Sequence, residues 1–170
     1  MTLCRVTNKS AASATGNASA GITTISSWAT SMSIARGRTI TETDNIWFTL
    51  LTMNTHPLHF DNAYAAKSEF KQTLVNSCLT LSMVVGMSVS DVSQKAIGNL
   101  GWNDIRLTAP VFVGDTIYAE SEVLSKRESA SRPGQGLVTV STIGKKDDGE
   151  QFMSFERTVL VPKRGHGVED

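Results

Sequence analysis

This 170-residue chain has little with which to cross-link itself, enter a membrane or grip a polyanion. It has two cysteines, four prolines and 6% aromatic residues, and 16 acidic residues cancel its 16 basic ones. Cys4 lies in a polar stretch and Cys78 in an apolar run. Contexts so different argue against a structural disulfide and fit a reducing compartment. Zero net charge leaves no basic surplus for neutralising phosphates, which argues against nucleic acid as a main partner. No apolar window reaches the ~18 residues of a spanning helix, so no membrane span is expected. A glycine-rich phosphate loop and a Gly-x-Ser-x-Gly nucleophile elbow are both missing. The length predicts one domain.

The neutral total hides a split. Residues 1–41 carry Arg5, Lys9, Arg36 and Arg38 with no Asp or Glu, and they hold fifteen Ser or Thr, so the remainder of the chain is acidic by the same four charges. A basic, hydroxylated, acid-free leader has the composition of an organelle-targeting presequence. Mitochondrial import is therefore expected for residues 1–35, with a cytoplasmic protein as the alternative. The stretch Gly21 to Ile40, with its Ile, Thr and Trp28, supplies material for a first strand.

From Thr41 onward the local signals are stronger. Thr41 with Asp44 three residues later forms a capping box, which predicts a helix. Ile46, Leu50 and Met53, joined by Trp47 and Leu51, predict its packing face. Pro57 forces the preceding residue out of the α region, so residues 54–59 should form an ordered turn. Asp61 reads as the cap of a short helix over Asn62 to Ser68. Residues 74–92 are apolar on nearly every side, the signature of a buried helix, capped by Asn76 or Ser77. Period-two alternation then predicts strands near Gly98–Leu107, Asp115–Lys126, Gly136–Gly144 and Gln151–Val161, with Asp148-Gly149 as a hairpin turn. Helices followed by an antiparallel meander make an α+β fold, one sheet around one buried helix. The domain spans 36–163, after the 1–35 segment and before a frayed tail at 164–170.

A metal set from His56, His59 and Asp61 lacks remote ligands and has little support. The turn Asn54-Thr55-His56-Pro57-Leu58-His59-Phe60-Asp61 carries a more specific signal. Together with Gly37-Arg38-Thr39-Ile40-Thr41, Leu74 to Ser82, Arg106 and Pro110-Val111-Phe112-Val113-Gly114-Asp115, it resembles the MaoC-like dehydratases, which include the R-specific enoyl-CoA hydratases and a mesaconyl-CoA hydratase-like branch. The resemblance runs from about Gly37 to Pro162, with its pieces in the same order, and implies a hot-dog fold.

It also implies roles. His59 falls on the catalytic histidine, while the carboxylate expected five positions earlier is Asn54, and His56 replaces the usual asparagine before the proline. The Asp/His dyad is thus absent, a departure that points to the mesaconyl-type branch. The oxyanion donor of relatives is a backbone N–H at the start of the central helix, here at Asn76-Ser77, so the Ser77 or Cys78 amide is expected to serve. Water addition to a 2,3-enoyl thioester builds charge on the thioester oxygen, which a helix N-terminus stabilises, and imidazole suits the proton transfers. Asp61 is a further candidate, more simply read as a cap, and Arg106 and Arg132 are candidates for CoA phosphates. The expected activity is an acyl-CoA hydro-lyase, on a methyl-branched or dicarboxylic enoyl group. A hot-dog thioesterase and a non-catalytic acyl-thioester binder are the alternatives. No cofactor is implied beyond the CoA of the substrate, and subunits resembling this one form homodimers or larger assemblies.

Overall fold

The computed structural model describes residues 31–33 and 37–168. The targeting reading of residues 1–35 and the residue 21–30 part of the first expected strand fall almost wholly outside them, as does Cys4. The described chain runs β1 (Ser31–Ser33), β2 (Arg38–Thr39), α1 (Glu42–Leu51), a 3₁₀ turn (Pro57–His59), α2 (Asn62–Ala65), α3 (Ser77–Met87), a π turn (Val89–Ser93), β3 (Gly98–Leu107), β4 (Thr116–Glu128), β5 (Gln135–Lys146) and β6 (Gln151–Pro162).

All pairings are antiparallel, in the order β1-β4-β5-β6-β3, with β1 and β2 end to end along the outer edge of β4. In β4 the alternation predicted from sequence holds: Ile117, Ala119 and Ser121 are buried while Thr116, Tyr118 and Glu120 are half-exposed. Helix α3 packs on the sheet through Leu79 and Val84, in a core shared with Ile117, Ala119, Phe152 and Phe155. A second cluster, Val92, Val138, Val140, Val159 and Val161, fills the space beyond its C-terminus. This is the expected hot-dog arrangement of antiparallel sheet and central helix. In the single chain α3 is covered on one side only, since Ser77, Cys78, Ser82 and Gly86 are exposed.

Helix α1 starts as its capping box requires. The Asp44 N–H donates to Thr41 Oγ1 at 3.2 Å and the Thr41 N–H to Asp44 Oδ2 at 2.9 Å. The Thr41 hydrogen bonds, aided by Arg38, hold the Asp44 carboxyl below its ordinary value. The packing face is not the expected one. Trp47, Leu51 and Met53 are 75, 83 and 86% exposed, while Asn45 and Thr49 are buried and only Phe48 joins the core edge. The reason is polar satisfaction. Two loops bury backbone groups against this helix, and leaving such groups unpaired costs about 1–3 kcal/mol each, comparable to the ~1.5–3 kcal/mol of burying one large apolar side chain.

The tail also begins in order. The Lys163 N–H bonds to the Gly134 carbonyl at 2.8 Å and Lys163 Nζ to Glu128 at 2.6 Å, so residues 163–166 form a turn held against the β4–β5 hairpin.

Candidate active site

The four sequence segments of the resemblance converge. The Ile40 N–H bonds to the Asp115 carbonyl and the Gly114 N–H to the Ile40 carbonyl. The Val75 N–H bonds to the Val111 carbonyl and the Leu74 N–H to the Leu58 carbonyl. Two glycines make this possible. Gly37 sits so close to Tyr118 that a Cβ would lie 2.6 Å from its ring, and Gly114 has φ +99°, a conformation that side chains disfavour.

At the centre is the start of α3. Asn76 is the cap, its Oδ1 accepting the Cys78 N–H at 3.0 Å. The Leu79 and Thr80 amides bond to the Asn76 carbonyl. Among the described residues no hydrogen bond uses the Ser77 N–H. Of the two amides expected as oxyanion donors, Cys78 is therefore consumed by the cap and Ser77 is left. The Asn76 side chain is itself buried and bonded, Nδ2 donating to Thr49 Oγ1 at 3.3 Å, which makes it a structural group.

Ser77 lines a cavity of about 380 Å³ walled by Phe70, Leu74, Val111 and Phe152, with Thr80 and Thr108 as its other polar side chains. His59 is half-buried and bonds to a residue of the cavity wall. Its Nδ1 lies 2.9 Å from the Leu74 carbonyl. A carbonyl can only accept, so Nδ1 carries a proton, and in the neutral ring the lone pair is on Nε2. Leu74 thus joins imidazole and cavity, although His59, His56 and Asn54 are not among the residues lining it.

His56 has the opposite arrangement: its Nδ1 accepts the Leu58 N–H at 3.2 Å, so in the neutral ring the proton sits on Nε2. The two ring centroids are 5.9 Å apart. Asn54 Oδ1 accepts the His56 N–H at 3.0 Å, an Asx turn that leaves its NH₂ group as the available end. Asp61 is engaged as the cap of α2, accepting the Tyr64 N–H at 2.9 Å. Among the described residues no group of three His, Cys, Asp or Glu could hold a metal ion. Arg106 is one residue from cavity-lining Leu107, but it is exposed and paired with Asp104 at 2.7 Å. Arg132 is not brought to this end. It sits in the turn between β4 and β5, whereas the cavity lies where β4 begins and β5 ends, roughly 40 Å away along a 13-residue strand.

One site residue was not anticipated. Asn45, 1% exposed, donates through Nδ2 to the His59 carbonyl at 2.8 Å and the Leu74 carbonyl at 3.1 Å. Its Oδ1 accepts the Asn76 N–H at 2.9 Å. A single amide thus ties the imidazole-bearing turn to the cap of α3. The available signal was the Asn45/Thr49 pair at i, i+4, a polar stripe inside an apolar helix.

An antiparallel sheet packed on one helix, with a cavity at that helix's N-terminus, is the arrangement expected of a hot-dog domain. The sequence matches the MaoC like domain over residues 26–147, and the chain belongs to that family. It is 32% identical over 120 residues to the mesaconyl-CoA hydratase of Haloarcula marismortui, covering 70% of this chain but 34% of that protein, so the chain spans about a third of that relative's length. It is 36% identical over 115 residues to the (R)-specific enoyl-CoA hydratase of Aeromonas caviae, covering 68% of this chain and 81% of that one. The structure of the monoamine oxidase regulatory protein from Archaeoglobus fulgius superimposes with a TM-score of 0.72 at 34% identity, over 81% of this chain and 93% of that one.

Proposed function

We propose that this protein is an acyl-CoA hydro-lyase that adds water to a 2,3-enoyl-CoA thioester, or removes it in reverse. The observation that carries the reading is that Ser77, whose N–H the helix leaves unused, and Leu74, whose carbonyl accepts the His59 Nδ1–H, line the same cavity. The relatives' names agree with it. In this scheme the Ser77 amide and the α3 dipole stabilise the thioester oxygen as it gains charge. His59 Nε2 takes a proton from water while its oxygen bonds to C3, and the imidazolium then returns that proton to C2. The Asn54 NH₂ orients water in place of the carboxylate, and His56 Nε2–H is a second donor. Arg106 and Arg132 are kept for CoA phosphates, Arg132 only for a site completed by another subunit. No cofactor beyond the CoA of the substrate is invoked. The acyl group spans two branches at this level, hydrocarbon and dicarboxylic.

A homodimer belongs to the same proposal. β3 is an edge strand with no partner on its outer side among the described residues, and it exposes Leu100, Trp102, Ile105 and Leu107. Light scattering on wild type and Trp102→Lys tests it, a shift to monomer in the variant being expected. Mitochondrial import rests on the composition of residues 1–35, and the described residues contain no helix long and apolar enough to cross a membrane.

The deciding assay follows loss of the conjugated enoyl absorbance and release of free thiol separately, with crotonyl-, mesaconyl- and itaconyl-CoA. Absorbance loss without thiol is expected. Thiol release establishes the thioesterase alternative. Binding without either reaction establishes the non-catalytic binder, the reading favoured by Asn54 standing where relatives have a carboxylate.

A further inference from the structure

Resting on the acyl-thioester reading above, we infer that the substrate's acyl group is an uncharged hydrocarbon chain, straight or methyl-branched, and not a dicarboxylic acid. The cavity beside Ser77 has no charged side chain in its walls. Its few polar groups are mostly occupied. Thr80 Oγ1 donates to the Ser77 carbonyl at 2.9 Å, and Thr108 Oγ1 to the Gln151 carbonyl at 2.7 Å. The nearby ions are engaged elsewhere: Lys146 with Asp115 and Glu150, at 3.5 and 2.8 Å, and Arg106 with Asp104. The free hydrogen-bonding capacity of the cavity is therefore concentrated at Ser77.

One donor point in an otherwise apolar slot matches a thioester carbonyl followed by hydrocarbon. A second carboxylate carried past that point would meet no cation on the walls this chain supplies, and wherever it lies against the buried apolar side chains Val75, Val111 and Phe152 it gives up hydration without compensation. The volume of about 380 Å³ accommodates roughly a dozen groups the size of a water molecule, at ~30 Å³ each. That is ample for a short or medium chain, so charge and not size is the discriminating feature.

The sharpest comparison uses two substrates that differ only at the distal carbon: 2-methylcrotonyl-CoA, with a methyl group, and mesaconyl-CoA, with a carboxylate. For the full-length protein, kcat/KM is expected to favour the methyl compound by roughly 100-fold or more. Equal rates, or a preference for mesaconyl-CoA, overturn the inference. If neither is hydrated, competition binding with butyryl-CoA and succinyl-CoA separates the two claims. Tighter butyryl-CoA binding upholds the apolar pocket while the hydro-lyase reading falls; equal or tighter succinyl-CoA binding overturns the pocket inference. Thr108→Arg places a cation at the exposed rim of the cavity and is expected to move the preference at least 10-fold toward the carboxylate. An unchanged preference in that variant counts against this cavity as the acyl site.

Discussion

The two ends of α3 treat buried polar groups in opposite ways. At the N-terminus Asn45, Thr49 and Asn76 pair with one another and with the loop backbone, and Ser77, whose N–H is unused, lines a cavity. At the C-terminus Arg157 is fully buried. Its Nη2 donates to Ser88 Oγ at 2.8 Å, while Nε and Nη1 have no partner among the described residues. Burial pushes its pKa down from the usual arginine value. The carbonyl end of a helix favours a cation, which accounts for the placement without giving it a precise geometry. Polar burial at one end specifies positions; at the other it is merely tolerated.

The strongest way to break this contrast is at the imidazole. His59→Ala is expected to lower kcat by about 10²–10⁴ in the enoyl-absorbance assay, with binding of a saturated acyl-CoA retained. Unchanged turnover would remove His59 from the chemistry.

Asn45→Leu comes next. It leaves the His59 carbonyl and the Asn76 N–H without their partner and the Leu74 carbonyl with the His59 imidazole alone, and unfolding in urea should show a loss of about 2–4 kcal/mol. Because Asn45 positions the imidazole, kcat should fall with KM little changed. ¹⁵N NMR should show His59 losing its fixed Nδ1–H tautomer, a signal that a purely structural residue would not move.

The matching substitution at the other end is Arg157→Met. Replacing a poorly paired buried charge by an apolar side chain is often neutral or stabilising, so stability should stay level or rise by about 1 kcal/mol, with activity unchanged. A loss above about 2 kcal/mol would show the guanidinium to be a specific strut.

The smallest effect is at the α1 cap. Asp44 titrates below its ordinary value, so its contribution is present above the unfolded carboxyl pKa and is lost as pH falls through the folded one. Asp44→Asn should therefore cost about 0.5–1 kcal/mol at pH 7 and flatten the decline of stability below pH 4. Thermal melts from pH 7 to pH 3 measure it.

Features that depend on neighbours in the chain were legible before any coordinates. The Thr41/Asp44 box, the Asp61 cap, the β4 alternation and the Asp148-Gly149 hairpin all stand where spacing placed them, and of the two caps spacing offered for α3, Asn76 is the one used. Features that depend on competition between distant groups were not. Hydropathy assigned α1 an apolar inner face, yet Asn45 and Thr49 turned inward because loops 14 to 31 residues away needed their donors and acceptors. Cys78 was as good an oxyanion candidate as Ser77 until the Asn76 side chain claimed its amide. Arg106 and Arg132 looked equivalent, and only the strand order separates them.

From its sequence alone this protein has an antiparallel sheet, a capped apolar helix and a histidine turn in a recognisable order, because helix caps, alternation and proline act within a few residues. Which amide stays free, which imidazole nitrogen is basic and which side chains wall the cavity were decided by the tertiary structure. Each follows from which backbone group reaches a partner first when segments far apart in the chain are packed together.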